Sequence, residues 1–165
     1  LLFASHKATL EDIRQNKLKD DSFEPVTIST IPQVRMTRRL CGEYTLKESE
    51  NDKQFEDSIG MVGDWRKRGM VYEIPFRCLY SGKIRNLIGA GRCVSVDDGM
   101  WDIIRAIPGC AVTGEAAGIA AAQTCDFSQL DRRALQDTLR KHGQKIHFAE
   151  AGLASDTFPI NTRRE

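Results

Sequence analysis

The chain has 165 residues, enough to bury one core, and its 24 basic and 23 acidic residues give a formal net charge of +1. This balance provides no general attraction to nucleic acid or to a membrane surface, so we expect neither as a partner. No stretch of the sequence has the apolar length of a membrane span, and the N-terminal segment lacks the pattern of a signal peptide. These features predict a cytoplasmic protein.

The first part of the sequence predicts one helix and several short strands. In chain order, the predicted elements are an amphipathic helix over 4–19, a half-exposed strand over 23–31 interrupted by Pro32, two strands with a bend at Gly42 over 34–46, a polar turn or helix start over 47–51, one helical turn over 55–59, and a loop over 60–69 with Trp65 as a local packing plug.

The second part predicts mixed structure with longer helices. In chain order, the predicted elements are a strand over 71–80 with Pro75 at an edge or bulge, a turn at 81–82, a buried strand over 87–91, a short helix N-capped by Asp98, a buried Ala- and Gly-rich helix over 108–122, a break over 126–129, a helix over 130–142 with Leu130, Leu135 and Leu139 as its core stripe and Gly143 as its C-cap, and an extended tail over 144–165. The fold class predicted is α+β.

The stretch from Asn86 to Ala122 is the one around which the sequence is organised. Pro108 is tolerated in the first turn of a helix, so it either begins this helix or kinks one already running. The first N–H groups of a helix have no intrahelical partner and carry partial positive charge. A strand that ends at Gly91, followed by such a helix end, is a common way to hold an anion or an electron-rich ring edge. Gly114 and Gly118 share one helix face, which we expect to pack on the preceding strand.

Cysteine and histidine spacing indicates no metal site. The five cysteines form no C-x-x-C pair and are predicted to be buried reduced thiols. The three histidines, His6, His142 and His147, have no spacing typical of ligands and are predicted to be surface or packing residues.

A longer motif carries a resemblance to a known family. The sequence resembles the C-terminal flavin-binding segment of the FAD-dependent oxidoreductases of the glutathione-reductase structural class. That group has a strand of the form N-L-[LI]-x-A-G-R-C-[IV]-S and then R-x-x-P-x-C-x-x-x-G-x-A-A-G-x-A-A. The matching positions, without a gap, are Asn86, Leu87, Ala90, Gly91, Arg92, Cys93, Ser95, Arg105, Pro108, Cys110, Gly114, Ala116, Ala117, Gly118, Ala120 and Ala121. Upstream, RMTRRLCGEYTL is similar to the family's R-x-[ST]-R-R-x-x-G-x-Y-x-L, so the resemblance extends from about residue 35 to 143.

The resemblance implies a fold and a cofactor. The fold would be a fragment of an FAD-binding Rossmann-like α/β domain with strands of an antiparallel substrate-domain sheet. Residues 1–165 would form a single domain, with a substrate-domain-like part over 1–70, an FAD-binding part over 71–143 and a tail over 144–165. The cofactor-binding residues implied are Gly91, Arg92, Pro108, Gly109, Cys110 and Gly114. Among them, Gly91 and Arg92 would lie near the ribityl or pyrophosphate region, and the Gly109 and Cys110 amides would face the pyrimidine edge of the flavin.

The implied substrate is a small molecule, with Arg35 and Arg39 as candidate contacts, although a solvated arginine face is the alternative. No acid–base catalytic residue is assigned. The sequence departs from the family at Asp97 and Asp98, where the group often has Thr-His, and at Gly109 and Glu115. Two aspartates there would repel an anionic ring or phosphate.

One part of a complete flavoprotein is missing. The ADP-binding signature G-x-G-x-x-G, between a strand and a helix, does not occur in this sequence. We therefore expect the C-terminal portion of an FAD-dependent oxidoreductase, incomplete as an FAD site by itself. The alternative is a non-catalytic remnant or interaction module that pairs with a partner supplying the ADP-binding half. The expected partners are an N-terminal flavoprotein half or further copies of the chain.

Overall fold

The computed structural model describes residues 2–28 and 35–153. By its internal contacts the chain divides into two compact units, Leu1–Thr37 and Arg38–Glu165. Helices and small antiparallel sheets occur together, so the predicted α+β class is confirmed. The division of the chain at residue 70 remains a prediction. It falls beside the start of a strand that pairs with the strand before it.

The first unit contains one long helix. Helix α1 (Leu2–Lys19) confirms the helix predicted over 4–19, but it buries none of its residues, and Phe3 is 90% exposed. The predicted strand over 23–31 is wrong for residues 23–28, which form no strand, and Val26 there is fully exposed. An alternating pattern forms a strand only when a neighbouring strand supplies the ladder. Residues 29–31 and Pro32 lie outside the described residues.

Between residues 38 and 153, the second unit contains two hairpins and three helices. Its elements are β1 (Ser58–Gly63), β2 (Val71–Pro75), β3 (Tyr80–Ser81), β4 (Ile84–Ile88), α2 (Asp98–Ile104), α3 (Ile107–Gln123) and α4 (Arg132–Lys141), with short 3-10 turns between them. β1 pairs with β2 and β3 pairs with β4, both antiparallel. The turn predicted at 81–82 lies at 82–83, because Ser81 still belongs to β3 and pairs with Ile84. The polar turn predicted within 47–51 is confirmed as a 3-10 turn at Glu48–Glu50.

The β1–β2 hairpin corrects two predictions. Residues 58–63 form a strand, where a helical turn over 55–59 and a loop over 60–69 were expected. Gly60 has φ +143°, and a Cβ there would lie 2.8 Å from Val112 Cγ1 on α3, so the glycine permits close packing at a bulge. β2 ends at Pro75, and a 3-10 turn over Phe76–Cys78 replaces the rest of the strand predicted over 71–80.

Residues 38–46 do not form the predicted pair of strands. This segment forms only an isolated parallel bridge, between Leu46 and Val96, and Val34 lies outside the described residues. The segment is nevertheless held in place by its backbone. The Leu40 N–H donates to Cys93 O (2.8 Å), and the Leu46 N–H donates to Ser95 O (3.1 Å).

The helices cover the β1–β2 hairpin. α4 confirms the predicted amphipathic helix, because Leu130, Leu135 and Leu139 are all buried and Gly143 ends it with φ +89°. Asp131 caps its N-terminus by accepting the N–H groups of residues 133 and 134. The largest fully buried side chains are those of Leu46, Ile59, Tyr72, Ile74, Phe76, Leu79, Met100, Ile103, Ile104, Leu135, Leu139 and Ile146.

The segment after α4 was predicted to be an extended tail, and this is wrong for residues 144–153. Ile146 is fully buried, Phe148 is 6% exposed, and a 3-10 turn covers Phe148–Ala151. The Ser58 hydroxyl donates to Ile146 O (2.8 Å), which fixes the segment to β1. Two apolar side chains separated by one residue give too short a pattern to predict burial.

All five cysteines are free, as predicted, but only Cys78 is fully buried. Burial raises the pKa of the Cys78 thiol to about 12. Cys41, Cys93 and Cys125 are exposed, so the expectation of buried thiols is wrong for them. In the described ranges, no single helix is long and apolar enough to cross a membrane, although α2 and α3, bent by 87°, pass together on length and composition.

Candidate functional site: the turn at Gly91 and the N-terminus of helix α3

The strand before Gly91 differs from its prediction. β4 ends at Ile88 and is an exposed strand, with Ile84 51% and Leu87 44% exposed, where a buried strand over 87–91 was expected. Its apolar sequence suggested burial, but in the described structure it pairs with β3 alone. The chain then turns through Gly91, which has φ +67°, into a 3-10 turn over Gly91–Cys93.

The Gly91 turn lies directly against α3. The Gly91 N–H donates to the Thr113 hydroxyl (2.9 Å), and that hydroxyl donates in turn to Gly109 O (2.8 Å). A Cβ added at Gly91 would lie 3.5 Å from Cys110 Sγ. Three predicted site residues, Gly91, Gly109 and Cys110, are therefore brought together. Thr113, which is fully buried and joins them, was not predicted from the sequence, because a single threonine in an Ala- and Gly-rich helix carries no signal of such a contact.

The N-terminus of α3 is open, as predicted. Pro108 lies in the first turn, so it begins this helix and does not kink a longer one. The N-cap, Ala106, has no side chain that could cap the helix, and the first turn contains no acidic residue. Ile107 is 85% exposed and Pro108 is also exposed. The helix end therefore presents partial positive charge to solvent beside the Gly91 turn.

Of the two amides expected to face a flavin, that of Cys110 is bonded within the helix and that of Gly109 belongs to a buried residue. The Cys110 N–H donates to Ala106 O (3.0 Å), which is the first hydrogen bond of the helix. The Gly109 N–H precedes it and has no partner of that type within the helix. The Cys110 thiol is half-buried, with Sγ 3.6 Å from Arg105 O.

The glycines of α3 have roles opposite to those expected. Gly109 is buried, and a Cβ there would lie 2.5 Å from Ile104 O at the end of α2. Gly114 and Gly118 are exposed, with no atom within 4 Å of an added Cβ, so the predicted packing of this face on the preceding strand is wrong. The buried face of α3 is the one that carries Gly109, Thr113, Ala116, Ala117 and Ala120.

The candidate arginines have separate positions. Arg92 is exposed in the turn after Gly91, and its carbonyl accepts the Trp101 indole N–H (3.2 Å). Arg39 is exposed, with Nη1 3.4 Å from Ser95 Oγ, and precedes Leu40, which bonds to Cys93 in the same turn. Arg35 belongs to the first unit, and its exposed side chain is described only with that unit.

The two aspartates that depart from the family pattern differ in role. Asp97, and not Asp98 as predicted, caps α2 by accepting the Met100 N–H (2.8 Å), and it also accepts the Glu48 N–H (3.2 Å). Asp98 is exposed in the first turn of α2. The Asp97 carboxylate therefore stabilises a helix end and a loop, a structural role that requires no ligand.

The charge of this helix end suits one end of a flavin. The uncapped N-terminus of α3, beside the left-handed turn at Gly91, carries partial positive charge, which favours the electron-rich pyrimidine edge of the ring. The sequence offers no dinucleotide fingerprint for the ADP end. Across residues 2–28 and 35–153, no group of three or more His, Cys, Asp and Glu side chains could hold a metal ion.

Comparison with known families decides the assignment. The family model of FAD-dependent oxidoreductases matches residues 4–139, which is most of the chain. The protein belongs to this FAD-dependent oxidoreductase family. Searches of curated proteins and of solved structures found no match. Membership in the family implies FAD as the cofactor, and it agrees with the open helix end beside Gly91.

Proposed function

We propose that this FAD-dependent oxidoreductase chain acts as the C-terminal flavin- and substrate-binding portion of its enzyme, of the glutathione-reductase structural class. In this proposal the N-terminus of α3 and the Gly91 turn hold the isoalloxazine end of FAD. An ADP-binding portion, supplied from outside the sequence described here, holds the other end. Arg39 in the larger unit and, separately, Arg35 in the first unit remain candidate contacts for a small-molecule substrate, and Arg92 is the candidate for the ribityl side.

The observation that supports this proposal is the contact between the Gly91 turn and the first turns of α3. The Gly91 N–H to Thr113 hydroxyl bond fixes a left-handed turn beside a helix end that has neither a capping side chain nor an acidic first turn. A helix end exposed in this way is normally capped by Ser, Thr, Asp or Asn. The partial positive charge of this helix end is therefore left without a compensating side chain, which favours an external electron-rich group.

The division of labour follows from this geometry. Bound FAD would supply the hydride or electron chemistry, and the protein would supply position and electrostatics. The partial positive charge of α3 would stabilise negative charge at the ring's carbonyl edge. Gly109 in α3 packs on the end of α2 and so fixes the position of the first turn of α3. The exposed Ile107 and Pro108 offer an apolar surface for a flat ring.

A matched pair of substitutions at Ile107 tests the site. Ile107→Asp places a carboxylate at the first turn of α3, and Ile107→Asn places a neutral group of the same shape there. The aspartate favours the helix dipole, so folding stability should be unchanged or increased. It also repels the electron-rich edge of the flavin. We expect Asp to weaken riboflavin binding at least about fivefold relative to Asn, for a charge effect of about 1 kcal/mol.

The measurement is riboflavin and FAD fluorescence quenching with the isolated chain. Because the ADP portion is absent, FAD should bind only weakly, and no more tightly than riboflavin. Equal riboflavin affinity for the Asp and Asn variants would remove the helix end from the cofactor site. Tight stoichiometric binding of FAD would show that this chain carries a complete site.

A second candidate function is a non-catalytic interaction module that pairs with another chain. The exposed apolar side chains on β4, Ile84 and Leu87, favour it. An exposed strand edge is a template for pairing with another chain. Purified protein that carries no flavin even when combined with a dinucleotide-binding partner would support this candidate over the first.

A further inference from the structure

A carboxylate–imidazole pair lies outside the candidate flavin site. Glu73 on β2 is fully buried and accepts the backbone N–H groups of Phe55 (2.8 Å) and Phe148 (3.2 Å). Its oxygens also lie 3.1 and 3.2 Å from His147 Nδ1. A carboxylate can only accept, so Nδ1 carries the proton in this contact. In the neutral imidazole, Nε2 is then left as an acceptor.

His147 lines an open cleft of about 620 Å³ beside α4, within the volume range typical of small-molecule sites. Gln136 lines the same cleft, although the residue is only 8% exposed. Its amide nitrogen donates both to Glu56 O (3.0 Å) and to Ser58 O (2.8 Å). The Gln136 side-chain carbonyl, Oε1, makes no hydrogen bond to the residues described. A buried amide with its donors fixed therefore offers one acceptor to the cleft.

Two arginine side chains line the same cleft. Arg132 and Arg133 line it, are exposed, and form no ion pair with the residues that the structure describes. The Asp131 carboxylate also lines the cleft, and it keeps its negative charge while it caps α4 through the N–H groups of Arg133 (3.0 Å) and Ala134 (3.1 Å). Glu56 contributes the other negative charge of the lining.

We propose that this cleft binds a small hydroxylated anion. Arg132 and Arg133 hold its acidic group, and its hydroxyl donates to His147 Nε2 or to Gln136 Oε1. The role of Glu73 is to hold the imidazole in the tautomer that leaves Nε2 as an acceptor. The cleft shares no residue with the Gly91 turn or with the N-terminus of α3, and it accounts for a buried carboxylate that flavin binding does not use.

Three probes separate the components of this recognition. sn-Glycerol 3-phosphate carries both the anion and the hydroxyls, inorganic phosphate carries only the anion, and glycerol carries only the hydroxyls. In isothermal titration calorimetry at pH 7.5, glycerol 3-phosphate should bind at one site. It should bind about tenfold more tightly than phosphate, the value of one added hydrogen bond, and glycerol should not bind. Equal affinity for glycerol 3-phosphate and phosphate overturns the proposal.

Substitutions in the cleft test whether the probes bind there. His147→Asn keeps a donor for Glu73 at the position of Nδ1 but removes Nε2, so glycerol 3-phosphate should bind only as tightly as phosphate while the melting temperature is retained. The double variant Arg132→Gln/Arg133→Gln should lose both probes. The control Arg68→Gln/Lys83→Gln removes the same charge from exposed residues outside the cleft and should bind both probes as the wild type does. Unchanged binding in the Arg132/Arg133 variant, or full glycerol 3-phosphate affinity in the His147 variant, overturns the assignment.

Discussion

The two hairpins of the larger unit differ in how completely they are covered. In the β1–β2 hairpin, residues 72–75 are all buried, beneath helices and the segment after α4. In the β3–β4 hairpin, residues 84–87 are all exposed, including two large apolar side chains. Buried polar side chains of the described residues all have hydrogen-bond partners, whereas the helix end beside the second hairpin has no side-chain cap.

This difference supports the proposed position of the cofactor site beside the second hairpin. The first hairpin belongs to a core whose apolar side chains are covered by other parts of the same unit. A cleft opens beside it at His147. The second ends in the Gly91 turn and leads towards the open end of α3. Exposed apolar strands and uncapped helix ends are unfavourable by themselves, so they are expected where a ligand or a partner completes the structure.

The largest effect is expected in the covered hairpin, at Glu73. Glu73→Ala leaves the buried N–H groups of Phe55 and Phe148 without their acceptor and separates His147 from β2. We expect the free energy of unfolding to fall by about 3 kcal/mol or more, measured by urea denaturation. Glu115→Ala breaks an exposed pair with His142 and should cost less than about 0.5 kcal/mol. Similar losses in the two variants would mean that Glu73 does not anchor the covered region.

The next effect distinguishes the two sides of α3. Gly109→Ala drives a methyl group against the Ile104 carbonyl and should lower the free energy of unfolding by about 1–3 kcal/mol. Gly114→Ala adds a methyl group to an exposed helix position with nothing near it and should raise that free energy by about 0.5–1 kcal/mol. Thermal denaturation of both variants checks the signs. Stabilisation by Gly109→Ala would contradict the close packing of α3 on α2.

A smaller effect depends on pH. Burial raises the pKa of Cys78 to about 12, above the ordinary value of about 8.5 that we expect in the unfolded chain. Above that ordinary value the unfolded chain loses the thiol proton and the folded protein retains it, so stability falls with rising pH in this window. Cys78→Ala removes the titrating group. Between pH 8 and 10, the wild type should lose about 1–2 kcal/mol more stability than the variant, measured by denaturant titration. Parallel pH profiles would contradict a buried thiol.

Local patterns predicted the elements whose stabilising contacts are local. α4 could be predicted because its leucine stripe and its C-terminal glycine all lie within a short window of sequence. The contact between the Gly91 turn and α3 was predicted in part, because a proline in the first turn of a helix indicates where α3 begins. β1 could not be predicted, because its strand character depends on pairing with β2 and on the fit of Gly60 against α3. The Glu73–His147 contact joins residues 74 positions apart, which no local pattern encodes.

The smallest effect on stability, and a specific one on assembly, is expected on β4. We infer that the exposed apolar side chains of this strand cause the isolated chain to self-associate, because nothing in the described structure covers them. Leu87→Lys changes an exposed side chain without removing a backbone hydrogen bond, so the melting temperature should change little, while lysine on an edge strand opposes pairing with another chain. Sedimentation velocity at several protein concentrations should show the wild type associating and the Leu87→Lys variant remaining monomeric. Leu18→Lys makes the same charge change on α1, at a leucine that is 75% exposed, and should associate as the wild type does. If Leu18→Lys disrupts association and Leu87→Lys does not, the open hairpin is not the surface that a partner covers.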